Sequence, residues 1–208
     1  MQISFKLSPL SRNKLVQNYV LFSNENFKVN SLDKLALGSN SKIINSITDT
    51  KEKDVNFTNL NLETKERVIL IKLKKNNSLL EIETLGADFL NYVEKNLFYN
   101  LTFLDINIKD TFKKDKIFFE RFIHGIRNKS YKFEKYKSKS KTKEINIEVL
   151  TKDKNFSLNK NKKLNALAEG IKLTKDLVSE PGNILHPDEY VKRITQLKKD
   201  GLKVTVYD

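Results

Sequence analysis

Short apolar runs and two-residue alternation, the pattern of half-buried β-strands, recur along the chain. Residues 2–7 (QISFKL) and 144–150 (EINIEVL) alternate cleanly, with apolar side chains on one face. The other predicted strands are residues 18–22, 67–73, 101–108 and 202–207. The run at 67–73 (RVILIKL) is almost wholly apolar and β-branched, so we expect that strand to be covered on both faces.

Helical spacing of apolar residues predicts helices between these strands. Residues 79–97 and 116–130 each carry one apolar stripe, and residues 31–47 predict two short helices separated by Gly38-Ser39-Asn40. Strands that alternate with helices are typical of the α/β class. We therefore predict a layered mixed sheet flanked by helices.

The stretch at 164–190 indicates a boundary near the end of the chain. Apolar residues from Leu164 to Val178 recur at helical spacing and predict one long helix. Pro181 cannot continue that helix, and the sequence Pro-Gly-Asn that it opens predicts a turn. Pro187 then suits the first turn of a new helix.

This break divides the chain into three parts. We predict an α/β domain at residues 1–155, a linking helix at 156–181 and the start of a further unit at 182–208. Asp188 and Glu189 fall in the first turn of the new helix, where the helix dipole favours negative charge.

The net charge of +13 is concentrated in one part of the chain. Residues 109–163 hold 18 basic and 7 acidic side chains, whereas residues 1–108 and 164–208 are nearly balanced. Nearly all of the excess is lysine, in a chain also rich in asparagine and isoleucine, as expected of an AT-rich genome. The charge alone therefore does not indicate a nucleic-acid partner.

Several kinds of chemistry find no candidate residues. The absence of cysteine excludes disulfides and thiolate metal sites and fits a cytoplasmic protein. No apolar run is long enough to span a bilayer, so we expect no membrane association. No serine lies in a Gly-x-Ser-x-Gly setting, and the six glycines never take a phosphate-loop spacing. We therefore predict no catalytic residue and no metal ligand in this chain.

The two histidines have simple interpretations. His124 lies inside a predicted apolar helix and is expected in a core or interface, and His186 precedes Pro187 in a turn. The basic segment offers the one possible binding site. Its candidate nucleic-acid contacts are Lys129, Lys132, Lys135, Lys137, Lys139, Lys141 and Lys143.

Aromatic residues interleave with these lysines at Tyr131, Phe133 and Tyr136. Lysines could hold a phosphate backbone while aromatic rings stack on bases. The alternative, which we favour, is that the lysines are solvated and the aromatic residues belong to the core.

Two stretches of the sequence resemble those of a known protein family. Residues 122–138 (FIHGIRNKSYKFEKYKS) and 169–190 (EGIKLTKDLVSEPGNILHPDEY) resemble the leucyl aminopeptidases, the cytosol aminopeptidases of metallopeptidase family M17. The first resembles the end of the last long helix of that family's N-terminal domain, and the second resembles its linking helix. Residues 66–71 (ERVILI) resemble a family strand whose following Gly-x-Gly-Lys turn is replaced here by Lys-Leu-Lys-Lys. The resemblance covers roughly residues 60–208.

The resemblance implies a macro-domain-like N-terminal domain, a homo-hexamer, and an enzyme that removes N-terminal amino acids from peptides. That enzyme holds two divalent metal ions, manganese or zinc, in Gly-Lys-Gly…Phe-Asp-x-Gly-Gly and Asn-Thr-Asp-Ala-Glu-Gly-Arg segments. Neither segment occurs in this sequence. The resemblance thus implies that residues 182–208 open a catalytic domain whose active site this chain lacks. His186 replaces the family's helix-capping Thr or Ser, which predicts a weaker cap.

A second function stays open at this point. The chain could be a stand-alone, non-enzymatic binding module, with nucleic acid as its partner through the basic segment. Some members of the leucyl aminopeptidase family bind DNA, so the resemblance is compatible with both functions.

Overall fold

The chain forms a six-stranded mixed sheet. The computed structural model describes residues 2–10, 16–29, 32, 44, 55–62, 66–112, 117–138, 144–154, 157–158 and 161–207. Its strands are β1 (Gln2–Pro9), β2 (Asn18–Ser23), β3 (Phe57–Asn61), β4 (Arg67–Lys72), β5 (Asn100–Leu104) and β6 (Glu144–Thr151). The order across the sheet is β1-β6-β5-β2-β4-β3. All neighbouring pairs are parallel except β3 and β4, which are antiparallel.

The helices come between and after these strands. They are α1 (Leu79–Lys95), α2 (Asp105–Thr111), α3 (Ile117–Ser130), α4 (Lys162–Ser179) and α5 (Pro187–Thr195), and a 3-10 helix (Gln196–Asp200) follows. A capping box starts α1, since Ser78 Oγ accepts from the Glu81 N–H while the Ser78 N–H donates to Glu81 Oε2. The α/β fold with a layered mixed sheet flanked by helices is confirmed.

Each face of the sheet carries its own hydrophobic cluster, because successive strand residues point to opposite faces. Val20 and Phe22 of β2 belong to the cluster that contains the buried residues of α1 and α3. Tyr19 and Leu21 belong to the cluster on the other face. Both faces of β4 are buried as well, with Val68 to Ile71 all fully covered, so the prediction for this strand is confirmed.

Helices α1 and α3 approach each other most closely at two glycines. A Cβ placed on Gly86 would lie 2.1 Å from the Phe122 carbonyl oxygen, and one on Gly125 would lie 1.9 Å from that of Glu83. Only glycine permits such an approach of two backbones. The two helices therefore form a tight pair on one face of the sheet.

One predicted strand is too long. Residues 101–108 do not form one strand, because β5 ends at Leu104 and α2 starts at Asp105. The buried carboxylate of Asp105 accepts hydrogen bonds from Thr151 Oγ1 (2.7 Å) and Lys109 Nζ (3.1 Å). The side chain of Asn107 turns inward, where Oδ1 accepts from the Phe22 N–H (2.8 Å) and Nδ2 donates to the Phe22 carbonyl (3.1 Å). These tertiary contacts favour the helix over an extended chain.

One strand was missed by the sequence patterns, and one further predicted strand is absent. Strand β3 was not predicted, because its sequence FTNLN lacks a clear apolar alternation, and it lies at the edge of the sheet beside β4. Residues 202–207 form neither helix nor strand, and most of them are exposed. The preceding 3-10 helix ends at Gly201, which adopts a left-handed conformation with φ of 86°. The predicted helices at 31–47 lie outside the described residues, apart from the buried Leu32 and Ile44.

Candidate functional site

The basic segment begins in the last turn of α3 and continues into the loop that follows. Lys129 lies in that turn, and Lys132, Lys135 and Lys137 lie in the loop. The remaining candidates, Lys139, Lys141 and Lys143, lie outside the described residues. Only four of the seven predicted contacts can therefore be placed.

Among the described lysines of this segment, Lys135 makes the shortest ion pair. Its Nζ lies 2.6 Å from Glu180 Oε1, and Arg193 Nη1 lies 2.7 Å from the same oxygen. The hydroxyl of Tyr136 donates to the other oxygen, Oε2. Together they leave the Glu180 side chain only 2% exposed. We call these four residues the Glu180 cluster.

Electrostatics favour an ionised carboxylate at the centre of the Glu180 cluster. Hydrogen bonds from Lys135, Tyr136 and Arg193 lower the pKa of Glu180 from 4.5 to about 2. The same contact raises the pKa of Lys135. Glu180 follows the last residue of α4, so the cluster joins the end of the long helix to the loop after α3 and, through Arg193, to α5.

Arg193 also ties α5 to its own first turn. Its Nε donates to Glu189 Oε1 at 2.9 Å, and this hydrogen bond lowers the pKa of Glu189. Asp188 and Glu189 lie in the first turn of α5 as predicted. His186 occupies the N-cap position and its side chain makes no capping hydrogen bond, which agrees with the weak cap expected there.

Three more hydrogen bonds connect α4 to α3 and its following loop. Arg127 Nη1 donates to Asn165 Oδ1 (3.2 Å), and Lys175 Nζ donates to the carbonyl oxygen of Asn128 (2.7 Å). The hydroxyl of Tyr131 donates to Asp176 Oδ1 (2.8 Å). The long helix is thus attached largely through polar groups.

Apolar burial contributes little to this attachment. Leu164 and Leu177 are the buried residues of α4, whereas Leu167 is 46% and Val178 is 82% exposed. The apolar stripe predicted for this helix is therefore only partly covered. Exposed apolar residues continue beyond it at Tyr190, Val191, Leu202, Val206 and Tyr207.

The other described lysines of the basic segment differ in their surroundings. Lys132 Nζ lies 3.7 Å from Glu94 Oε1, while Lys129 and Lys137 are exposed and make no ion pair with a described residue. We expected the aromatic residues of this segment in the core, and this expectation is wrong. Tyr136 is 51% exposed, and Tyr131 is only partly buried. Nucleic-acid binding by this segment stays a prediction.

His124 is buried between α1 and α3, in agreement with the core interpretation. Its Nε2 lies 3.0 Å from Asn128 Nδ2 and 3.5 Å from Glu83 Oε1. Burial lowers the pKa of His124; Glu83 opposes that effect, and Arg121 and Arg127 add to it. The imidazole is therefore held mainly in its neutral form.

Among the described residues, no three His, Asp or Glu side chains come together in a way that could hold a metal ion. No described helix is both long enough and apolar enough to cross a membrane. The polar groups that do converge, in the Glu180 cluster, bind one another and connect helices.

Sequence comparison points to one kind of enzyme. No family-level sequence profile matches the chain. A probable cytosol aminopeptidase of Phytoplasma mali is 42% identical over 93 residues, which are 42% of this chain and 19% of that protein.

Structural comparison agrees. A mutant of tomato leucine aminopeptidase matches with a TM-score of 0.63 at 17% identity and covers 96% of this chain. The resemblance to the leucyl aminopeptidases is confirmed. At this low identity the structural match shows the shared fold, and the sequence match supports the more specific likeness.

The leucyl aminopeptidases that match are much longer than this chain. The chain covers 43% of the tomato enzyme, and it covers 37% of the cytosol aminopeptidase of Coxiella burnetii, which matches with a TM-score of 0.56 at 14% identity. The stretch matched in sequence spans about a fifth of the Phytoplasma mali protein. Over half of each of these two enzymes therefore lies outside the part that this chain matches.

Proposed function

We propose that this chain is the amino-terminal part of a cytoplasmic leucyl aminopeptidase and does not itself contain the active site. Residues 1–155 would be the N-terminal α/β domain, residues 156–181 the linking helix, and residues 182–208 the opening of the catalytic domain. One observation carries the proposal: the tomato enzyme covers 96% of this chain, while this chain covers 43% of that enzyme.

The absence of the family's metal-binding segments from the sequence supports the second half of the proposal. The described residues also bring no three possible metal ligands together. They do not fit the two divalent ions, manganese or zinc, that a leucyl aminopeptidase uses. In this proposal the intact enzyme holds those ions, acts on peptides and assembles as a homo-hexamer, while this part contributes a folded support.

A chimera tests the proposal directly. This chain would replace the amino-terminal part of the Phytoplasma mali protein up to the end of the 93-residue matching stretch, and hydrolysis of a leucyl amide would be measured with added Mn²⁺ or Zn²⁺. We expect metal-dependent turnover by the chimera, none by the 208-residue chain alone, and less by the remainder of the Phytoplasma mali protein expressed without an amino-terminal part.

Two results would contradict it. Metal-dependent turnover by the 208-residue chain alone would show that an active site is present. A folded chimera that is no more active than the unsupplemented remainder would show that this chain does not serve as the amino-terminal part.

A further inference from the structure

The sheet opens where its two central strands diverge. Strands β2 and β5 pair only from Asn18–Val20 to Leu101–Phe103. Beyond that point β5 ends and the chain turns into α2, while β2 continues beside β4 as far as Ser23. The edge of β2 beyond Val20 is therefore not paired with β5.

The side chain of Asn107 pairs with this edge of β2. Its amide accepts from the N–H of Phe22 and donates to the carbonyl of the same residue, as a neighbouring strand would. Asn107 is only 2% exposed. The backbone groups of Phe22, at the end of β2 where the carboxyl ends of β2 and β5 form a crevice, are thus already hydrogen-bonded.

The connections that leave these strands run in opposite directions. Strand β2 leads to β3 and β4 on one side, whereas β5 leads through α2 and α3 to β6 on the other. In α/β sheets, ligands bind in the crevice outside the carboxyl ends of the strands at such a switch point. The topology alone therefore marks this crevice as a place where a ligand can bind.

A cavity of about 620 Å³ occupies this position. That volume falls within the range of small-molecule sites. Its apolar lining includes Phe22, Leu73, Ile82, Phe112 and Phe118. The rings of Phe112 and Phe118 are stacked, with centroids 5.9 Å apart and planes at 4°. This part of the cavity offers aromatic faces on which a flat ring could pack.

The rim of the cavity is mainly basic. Lys28, Lys74 and Lys75 line it together with Glu25 and Asp110. Glu25 Oε1 already accepts from the backbone N–H of Lys75 at 2.8 Å. These three lysines are exposed and make no ion pair with a residue that the structure describes, so their positive charge favours an anionic group at this rim.

We propose that this crevice binds a small organic anion whose aromatic ring packs against Phe112 and Phe118 and whose phosphate or carboxylate meets Lys28, Lys74 and Lys75. This site goes beyond the proposed peptidase role, which needs no ligand in this part of the chain. The anion could be a phosphate or a carboxylate, and the experiment separates the two.

The test uses the full 208-residue chain, labelled with ¹⁵N, and follows amide shifts during titration. Phenyl phosphate and 3-phenylpropionate are the two probes, while inorganic phosphate and benzyl alcohol supply each half alone. We expect saturable shifts around Ser23, Asn24 and Thr111, with a dissociation constant about tenfold lower for at least one probe than for either half alone. The tighter probe identifies the anionic group.

A charge variant and its matched control complete the test. The triple variant K28S/K74S/K75S should weaken binding about tenfold, because it removes the cations that meet the anion. The triple variant K95S/K152S/K198S removes the same charge from exposed lysines elsewhere and should bind like the wild type.

A third variant tests the aromatic wall, since Phe118→Leu should weaken both probes but leave phosphate unaffected. The proposal is overturned if neither probe gives saturable shifts at the crevice, if both bind no better than their halves, or if K28S/K74S/K75S binds as tightly as the wild type while remaining folded by circular dichroism.

Discussion

Helix α3 packs against two neighbours, and the two interfaces use different chemistry. Against α1 the backbones come so close that glycine is required at two positions, and the surrounding side chains belong to the main hydrophobic cluster. Between α4 and the segment formed by α3 and its following loop, the contacts are hydrogen bonds and the Lys135–Glu180 ion pair, and few apolar side chains of α4 are buried. Close packing contributes strongly to stability, whereas exposed ion pairs contribute about 0–1 kcal/mol each.

The difference teaches which part of the chain forms the folded unit and which part is attached to it. We expect changes at the α1–α3 interface to alter global unfolding. Changes at the α3–α4 interface should alter local opening of the long helix, with little effect on the rest.

The largest effect is expected from Gly125→Ala. The new Cβ would lie 1.9 Å from the Glu83 carbonyl oxygen, so α1 and α3 would have to move apart. Overpacking of this kind should cost about 3 kcal/mol in the free energy of unfolding, measured with urea. Gly170→Ala in α4 is the matched control, because nothing lies within 4 Å of its Cβ. It should stabilise the attached helix locally by about 0.5–1 kcal/mol and leave global unfolding by urea nearly unchanged. Equal effects of the two substitutions would show that the helices do not approach so closely.

A smaller effect on the same interface is expected from His124→Gln. Burial holds the pKa of His124 below 6.5, so the unfolded chain takes up a proton before the folded one does. The wild type should therefore lose stability as pH falls below 6.5 and through the lowered pKa. The groups that face the ring are Glu83, Arg121, Arg127 and Asn128.

The substitution itself should cost about 1–3 kcal/mol at pH 7.5, since it breaks a buried hydrogen-bond network. It should also reduce the difference in stability between pH 7.5 and pH 5.5. His186→Gln is the control, because the other histidine is exposed and makes no capping hydrogen bond. If both variants kept the wild-type pH dependence, His124 would not be its source.

Glu180→Gln should affect the attached helix instead. The pKa of Glu180 is about 2 in the folded chain against 4.5 ordinarily, so its contribution is complete above pH 4.5 and is lost as pH falls from 4.5 towards 2. Protection factors for amide hydrogen exchange in the second half of α4 should be smaller in the variant, and the part of their pH dependence that Glu180 causes in this window should disappear. Global unfolding by urea should change little.

Asp200→Asn is the control for that experiment, as Asp200 is an exposed acid in the same part of the chain. Faster exchange throughout the sheet in Glu180→Gln would contradict the view that the cluster only fastens the helix.

The smallest effect is expected from the exposed lysines. Lys129→Ala combined with Lys137→Ala should lower the salt concentration that elutes the protein from immobilised DNA no more than Lys95→Ala combined with Lys198→Ala. Each phosphate contact adds about 0.9 to the magnitude of the slope of log binding constant against log salt concentration. If the double variant of Lys129 and Lys137 lowered the magnitude of that slope by about two, and the control did not, the nucleic-acid function would be favoured instead.

Strands with a clear local pattern of apolar residues could be predicted from the sequence. Strands β1, β2, β4 and β6 were predicted from alternation or from a continuous apolar run. Alternation indicates that one face of a strand is covered, and a continuous apolar run indicates that both are. Residues 202–207 alternate equally well, yet none of them pairs with a described strand. A strand needs a partner, and the local pattern cannot supply one.

The sites depend still more on distant residues. Lys135 and Glu180 are 45 residues apart, and Phe22 and Asn107 are 85 apart. The Glu-Pro-Gly-Asn sequence predicted a helix stop, and Glu180 lies just after the last residue of α4, but nothing local pairs it with Lys135. The crevice likewise depends on where β5 ends, which only its tertiary contacts decide.

Asn107 has a consequence for behaviour at high concentration. An uncovered strand edge is a template on which another chain can add its own strand, and such pairing begins many aggregates. The second half of β2 would present such an edge in the middle of the sheet. The Asn107 amide hydrogen-bonds both the N–H and the carbonyl of Phe22. This single side chain therefore leaves neither group available to pair with a strand of another molecule.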